Sequence, residues 1–267
     1  MSDFLQSMAA GSAERAAAVD TKFSSADFDK PVVPLAPDAF DVIAEIKERS
    51  PAEGALKSEQ RSRIEQAARY AEGGALAISV LTEPSRFDGE LAHLEEVVAA
   101  VPGTPVMRKD FLIKPVQVHE ARKAGASGVL LIVAMLPDAR LRAMLDAAWQ
   151  HNMFVLLESF DDDDLARSSK LLENAVDADR AATSQLLFGV NTRNLRTLEV
   201  DSERLRKLAP LLPQACCVAE SGLTVAEDVA TVANLGYRMA LVGTALMRSD
   251  DPAALIKAMR TAGSAAA

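Results

Sequence analysis

Six charged residues stand at the ends of apolar runs in this sequence, where burial makes charge expensive unless it is used or paired. Glu45 and Lys47 close the run VIAEIK, two residues apart and therefore on one face of an extended strand. Lys109 follows VMR, Glu158 follows FVLL, and Asn191 and Arg193 end the run from Leu186. Glu220, Ser221 and Gly222 follow CCVA, and Gly243 and Thr244 follow MALV. Three cations (Lys47, Lys109, Arg193) facing three carboxylates (Glu45, Glu158, Glu220) can pair. Structural pairing alone does not require so many at strand ends. A lysine amid apolar neighbours can be an imine-forming nucleophile or a general acid, and the residues leave both open. The small residues of ESG and VGTALM leave backbone N–H groups free for an anion, with the Thr244 hydroxyl as a further donor.

These residues need a scaffold that brings strand ends together. Eight strand-like apolar runs recur with helical patterns between them: Val42–Ile46, Ala75–Leu81, Val106–Leu112, Gly128–Met135, Phe154–Glu158, Leu186–Asn191, Cys216–Ser221 and Met239–Thr244. Continuous apolar runs such as GVLLIVAM suit strands buried on both faces. Strand–helix alternation implies parallel pairing with right-handed crossovers. Eight such units predict a (β/α)8 TIM barrel over residues 42–262, with the active site at the carboxyl ends of its strands. A doubly wound open sheet is the alternative, but no GxGxxG follows the first strand. Phosphate sites in such barrels often lie between the loops after strands 7 and 8, where ESG and VGT fall.

The helices carry ordinary signals. Ser58 is the expected cap of the first barrel helix, which Gly73 and Gly74 stop; Pro115 opens another, which Gly125 ends. Pro137 and Pro252 open later ones. Residues 1–41 form an N-terminal extension, Ala-rich and then Pro-punctuated, expected as a helix followed by an extended arm. Residues 161–185 are long for one unit and read as a helix with a surface insertion, mobile at its tip.

Composition narrows the function. The 267 residues are 49% hydrophobic and 25% charged, which supports a globular core. A net charge of −9 argues against a general nucleic-acid or anionic-membrane binder. No apolar run approaches the ~20 residues of a membrane span, and the start carries Asp3 with no apolar stretch typical of a secretory signal. A reducing cytoplasm fits the adjacent Cys216 and Cys217, which would point to opposite faces of a strand and make a poor disulfide. His93, His119 and His151 are scattered, read as helix surface, and no metal is expected. The residues alone therefore specify a barrel enzyme on a phosphorylated, anionic metabolite, using acid–base or imine chemistry.

The stretches VIAEIKERSPAEG, AISVLTEPSRFDGELAHL, PVMRKDFLIKPVQVHEARKAGASGVLLI, FGVNTRNLRTLEVD, VAESGL and ALVGTALMR resemble the indole-3-glycerol-phosphate synthase family, in order over all eight strands. The combination of EIKxxSP, RKDF, NxRNL and ESG is far more specific than any single piece. The resemblance implies a carboxy-lyase of tryptophan biosynthesis, with a (β/α)8 barrel and an extra N-terminal helix. Its substrate would be 1-(2-carboxyphenylamino)-1-deoxyribulose 5-phosphate, which closes to the indole with loss of CO2 and water. It assigns Lys109 as general acid on the ketone oxygen, and Lys47 as holder of the substrate carboxylate. Glu158 would stabilise the cationic intermediate and help dehydration, Glu45 would position the lysines, and Asn191 would orient Glu158 and the sugar hydroxyls. Arg193, Glu220 and Ser221 would line the pocket. Phe87, Phe111 and Leu131 would lie on the anthranilate ring, and Gly222, Gly243 and Thr244 would cradle the phosphate. No cofactor and no metal are required, and no nucleic-acid or membrane partner is expected. A monomer is the default.

The sequence departs from the family at Ala52, Glu53, Glu90 and Thr192, and in the longer fifth unit, without losing a matched catalytic group. These departures also fit a divergent paralogue that binds a related phosphorylated metabolite with little or no synthase activity. A sister phosphosugar barrel, such as a phosphoribosylanthranilate isomerase, would carry a Cys base where this chain reads EIK.

Overall fold

The computed structural model describes residues 3–50, 54–55, 61–197 and 199–267. Eight parallel strands close into a barrel: β1 (Asp41–Ile46), β2 (Ala77–Leu81), β3 (Val106–Lys109), β4 (Gly128–Ile132), β5 (Phe154–Ser159), β6 (Leu186–Asn191), β7 (Cys217–Glu220) and β8 (Met239–Val242). Neighbours pair in chain order and β8 returns to β1, with Asp41 opposite Met239 and Ala44 opposite Val242, so the sheet has no edge. Helices follow the strands: α1 (Asp3–Ala18) before the barrel, then α2 (Arg63–Glu72), α3 (Pro84–Phe87), α4 (Leu91–Ala100), α5 (Pro115–Ala124) and α6 (Asp138–Gln150). The remainder are α7 (Asp162–Ser169), α8 (Ala175–Ala182), α9 (Arg204–Leu208), α10 (Ala226–Asn234), α11 (Thr244–Arg248) and α12 (Pro252–Ala266). The TIM barrel read from the spacing is the architecture observed.

Register decides which side chains share the barrel interior. Glu45 lies opposite Ser79, and Leu81 opposite Lys109. Ile132 lies opposite Glu158, Glu158 opposite Gly189, and Asn191 opposite Glu220. Side chains alternate with a period of two, so every second residue of each strand points inward, and these polar groups gather at one end. Nearer the floor the same faces are apolar. There Gly128 is opposite Phe154, and a Cβ on Gly128 would lie 2.4 Å from the Phe154 ring. The ring therefore occupies the space that a side chain at 128 would need, and it plugs the floor.

Several strands are shorter than the apolar runs suggested. The run to Leu112 stops at Lys109, because Asp110 turns out of the sheet and its carboxylate takes the Phe111 N–H at 2.8 Å. The run to Met135 stops at Ile132 and winds into a 3-10 turn over Val133–Met135. The last run stops at Val242, and Thr244 opens α11. Apolar character marks burial, which a turn beneath a helix layer satisfies as well as a strand does. Ser58 lies outside the described residues; the cap of α2 is Ser62, in a capping box with Glu65 (Ser62 N–H to Glu65 Oε2, 2.7 Å).

The extension is a helix and an arm, as the composition suggested. α1 buries Leu5 and Met8, and Arg15 donates to Asp110 Oδ1 at 2.7 Å. The arm runs along α5, where the Arg122 guanidinium donates to the carbonyls of Phe28 and Lys30. His119 and His151, distant in sequence and read as separate surface residues, meet here with Nδ1 and Nε2 2.8 Å apart, and the Phe28 ring lies 4.5 Å from that of His151. Burial, the neighbouring His119 and Arg122 push the His151 imidazole down to about 4. Among the described residues no cluster of three or more His, Cys, Asp or Glu could hold a metal. Neither is any helix there long and apolar enough to cross a membrane.

Residues 161–185, expected as a helix with a surface insertion, form α7, a 3-10 turn over Lys170–Glu173, and α8. The extra helix is anchored by a wholly buried carboxylate: Asp177 accepts the Trp149 Nε1–H at 3.0 Å and pairs with Arg142 at 2.5 Å. The acidic run at its start is likewise structural. Asp161 caps α7, and buried Asp164 takes Arg196 Nη2 at 2.7 Å.

Candidate active site

One cavity of about 1070 Å³ opens at the carboxyl ends of the strands. It is lined by Glu45, Lys47, Lys109, Glu158, Asn191, Arg193, Glu220 and Ser221, and by Phe87, Phe111, Gly222, Gly243 and Thr244. Thirteen of the fourteen residues singled out from sequence therefore share a single space. Leu131 does not. Its neighbours Leu130 and Ile132 line the cavity, and the alternation of β4 turns Leu131, wholly buried, to the opposite face beneath the helices. An apolar run carries no mark of its parity, so the sequence does not separate Leu131 from its two neighbours.

The charged groups form a chain. Lys47 Nζ is 2.8 Å from Glu45 Oε1. Lys109 Nζ lies 3.9 Å from Glu45 Oε2 and 3.4 Å from Glu158 Oε2. Glycine makes this crowding possible. A Cβ on Gly243 would fall 2.4 Å from Glu45 Oε1 and 2.9 Å from Lys47 Nζ, and one on Gly189 would fall 2.0 Å from Glu220 Oε1. Gly243, expected only as part of an anion cradle, thus also clears room for the Glu45–Lys47 pair.

Electrostatics fix the charge states. Burial pushes the Glu45 carboxyl up, but the Lys47 and Lys109 ammonium groups outweigh it and hold it below the ordinary carboxylate range. Burial pulls Lys109 down, yet the charges of Glu158, Glu45 and Glu220 hold it above an ordinary lysine, so it is a protonated acid at neutral pH. Glu220 is different. It is 1% exposed, neither oxygen has a hydrogen-bond donor among the described residues, and burial followed by the charge of Glu158 pushes its carboxyl well up.

The support behind the charges is built from the loops. Asp110 is wholly buried as a side chain, and it accepts from Arg15, from Thr82 Oγ1 at 2.8 Å and from Arg108 at 3.2 Å, fixing the backbone beside Lys109. Asn191 Oδ1 accepts the Arg193 N–H at 2.9 Å, which turns its amide nitrogen away from that bond at the cavity wall. The loop after β6 is tied back through Arg196 to Asp161 and Asp164. After β7 the chain enters the left-handed region twice in succession, at Ser221 (φ 67°) and Gly222 (φ 76°). A serine there is strained and needs a surrounding structure that enforces it.

Aromatic rings build one wall. Phe111 stands 6.2 Å from Phe87, and Phe4 of α1 meets Phe111 edge-on at 5.9 Å. Phe4 and Arg86 line the cavity and were missed from sequence. Phe4 lies some forty residues before the first strand with nothing local to tie it to the barrel mouth. Arg86 adjoins Phe87 on α3, and its register on that short turn is visible only once folded. Of the departures, Glu90 is exposed and precedes α4 without a capping bond, and the buried Thr192 hydroxyl has no partner among the described residues. Ala52 and Glu53 lie outside the described residues.

Comparison with known proteins agrees with the geometry. The family model described as indole-3-glycerol phosphate synthase matches residues 6–259. A protein of that name from Nocardioides sp. is 42% identical, over 90% of this chain and 88% of its own. One from Saccharopolyspora erythraea is 43% identical over 84% and 78%, and one from Mycobacterium leprae 41% over 83% and 77%. Among solved structures, 3-hexulose-6-phosphate synthase from Salmonella typhimurium superimposes with a TM-score of 0.62 at 15% identity, covering 85% of this chain and all of the other. Thiamine phosphate pyrophosphorylase from Pyrococcus furiosus does so at 0.55 and 17%, covering 85% and 96%. At such low identity these two share the barrel alone. The chain belongs to the indole-3-glycerol phosphate synthase family.

Proposed function

We propose that this cavity closes 1-(2-carboxyphenylamino)-1-deoxyribulose 5-phosphate to indole-3-glycerol phosphate, releasing CO2 and water. The observation that carries the residue roles is the position of Lys109, a half-buried lysine whose ammonium lies between Glu158 and Glu45 on the wall of one cavity that Gly222, Gly243 and Thr244 also line. Lys109 gives its proton to the ketone oxygen as the ring carbon attacks the carbonyl carbon, a step in which general acid catalysis contributes about 10²–10⁴-fold. The attack leaves positive charge on the aniline nitrogen, and the preorganised Glu158 carboxylate stabilises it. Lys47 holds the substrate carboxylate until the ring can accept the electron pair of the breaking C–C bond. Glu45 holds Lys47 and Lys109 in register for this. The phosphate sits at the backbone after β7 and at the start of α11, the usual anion position of such barrels. The rings of Phe87, Phe111 and Phe4 take one face of the anthranilate.

The test is direct. Purified protein mixed with the ribulose phosphate substrate should develop indole fluorescence and release one CO2 per indole. Absence of product at every pH from about 6 to 9, around the operating range of such acid–base groups, rejects the reading in favour of a protein that only binds a related metabolite.

A further inference from the structure

We propose that Glu158 and Glu220 act as a carboxyl pair holding one proton between them, resting on Glu220, and that the departing hydroxyl takes this proton during dehydration. The inference rests on the ring-closing activity proposed above and assigns a step within it.

Proton accounting raises the need. Ring closure puts one proton on the former ketone oxygen, supplied by Lys109. Decarboxylation returns the electron pair of the C–carboxyl bond to the ring and neutralises the nitrogen. The hydroxyl then leaves as water, which requires a second proton while its C–O bond breaks. A C–H bond on the adjacent carbon also breaks, its electron pair forms the indole double bond, and its proton passes to a base. Two protons are delivered and one is recovered, so each turnover consumes one from solvent, matching the loss of a carboxylate as CO2. Lys109 carries one. The site needs a second stored proton close by.

Glu220 is where the geometry stores it. Its carboxyl is 1% exposed and lines the cavity, and neither oxygen meets a donor among the described residues. Ionised, it would be a buried charge without a hydrogen bond, which interiors do not tolerate. Glu158 is complementary: Oε2 faces Lys109 at 3.4 Å, and Oε1 has no donor among the described residues. Glu220 Oε1 lies against Gly189, the residue opposite Glu158 on the neighbouring strand, so the two carboxyl groups share one corner of the cavity. As two anions they have no hydrogen to share; with one proton, Glu220 donates to Glu158 and both are satisfied together. With Glu220 neutral, the two ammonium groups of the ion chain, Lys47 and Lys109, match its two carboxylates, Glu45 and Glu158. Gly189 provides the room, since a Cβ there would sit 2.0 Å from Glu220 Oε1.

Glu220→Gln tests this, because the amide keeps the shape and neutrality but has no transferable proton. In a single turnover the variant should release CO2 at close to the normal rate while indole formation slows by about 100-fold or more, the range of a lost general acid. Infrared difference spectra of wild type against the variant at neutral pH should show the carbonyl band of one protonated carboxyl. Equal slowing of CO2 and indole, or slowing of neither, overturns the assignment. So does a wild-type spectrum with no protonated carboxyl, a result independent of how the variant folds. A wild type that makes no indole at all refutes the ring-closing reading instead.

Discussion

Lys109→Ala should abolish measurable indole formation, with turnover falling by at least about 10²–10⁴-fold, while the unfolding midpoint stays close to that of the parent chain. The effect is large because the ring-closing step draws its proton from this ammonium. Lys47 pairs with Glu45 at 2.8 Å, whereas among the described residues Lys109 alone pairs with both Glu45 and Glu158. The stability cost is small because Lys109 lines the open cavity, so water entering the space it vacates can solvate the carboxylates left behind. Substrate affinity should change less than turnover. Loss of turnover paralleled by loss of cooperative unfolding would make Lys109 a structural ion-pair member. Retention of more than a tenth of the activity would remove it as the acid.

Glu158→Gln is the second large effect. The variant keeps the side-chain shape but loses the negative charge that faces the developing cation, a preorganised interaction whose loss typically costs about 10²–10³-fold. It should also change the pH dependence, and the sign follows from the charges. Burial pulls Lys109 down, and Glu158 leads the charges that hold it up. Without that charge the ammonium loses its proton at lower pH. Glu220, held up by burial and then by Glu158, also moves down once that neighbour is neutral. Both acids are needed protonated, so the alkaline fall in the residual turnover should shift to lower pH than in the parent. A profile that keeps its alkaline limb in place, or an activity loss below about tenfold, contradicts the roles given to Glu158, since a preorganised electrostatic contact should cost more.

The sequence disclosed the architecture through repetition. Eight apolar runs with room for a helix between each pair leave few topologies once crossovers are right-handed. It also disclosed the charged site, since Glu45, Lys47, Lys109, Glu158, Asn191 and Glu220 all end runs of the same kind and the barrel sends such ends to one place. What stayed hidden depends on registers and distances between separate segments. Leu131 against Leu130 and Ile132 is a matter of strand parity, which a continuous run of apolar residues does not encode. Phe4 reaches the cavity only because α1 folds back and Arg15 finds Asp110. The contact of His119 with His151 depends on the packing of α5 beside α6. Gly128 and Gly189 look like ordinary strand glycines until Phe154 and Glu220 are seen to fill the space beside them. The segment 161–185 read as a helix with a surface insertion because Asp177 looks like a surface residue, and only the fold shows Trp149 and Arg142 bonded to it.

The central claim is that the ion chain of Lys47, Glu45, Lys109 and Glu158 and the backbone after β7 and β8 hold opposite ends of one ligand. A crystal structure of the protein with indole-3-glycerol phosphate bound tests this most directly. The account predicts the indole beside Lys109, Glu158 and Phe111, with the phosphate on the backbone of Gly222, Gly243 and Thr244. A product lying outside this cavity, or turned so that its phosphate meets Lys109, would contradict it.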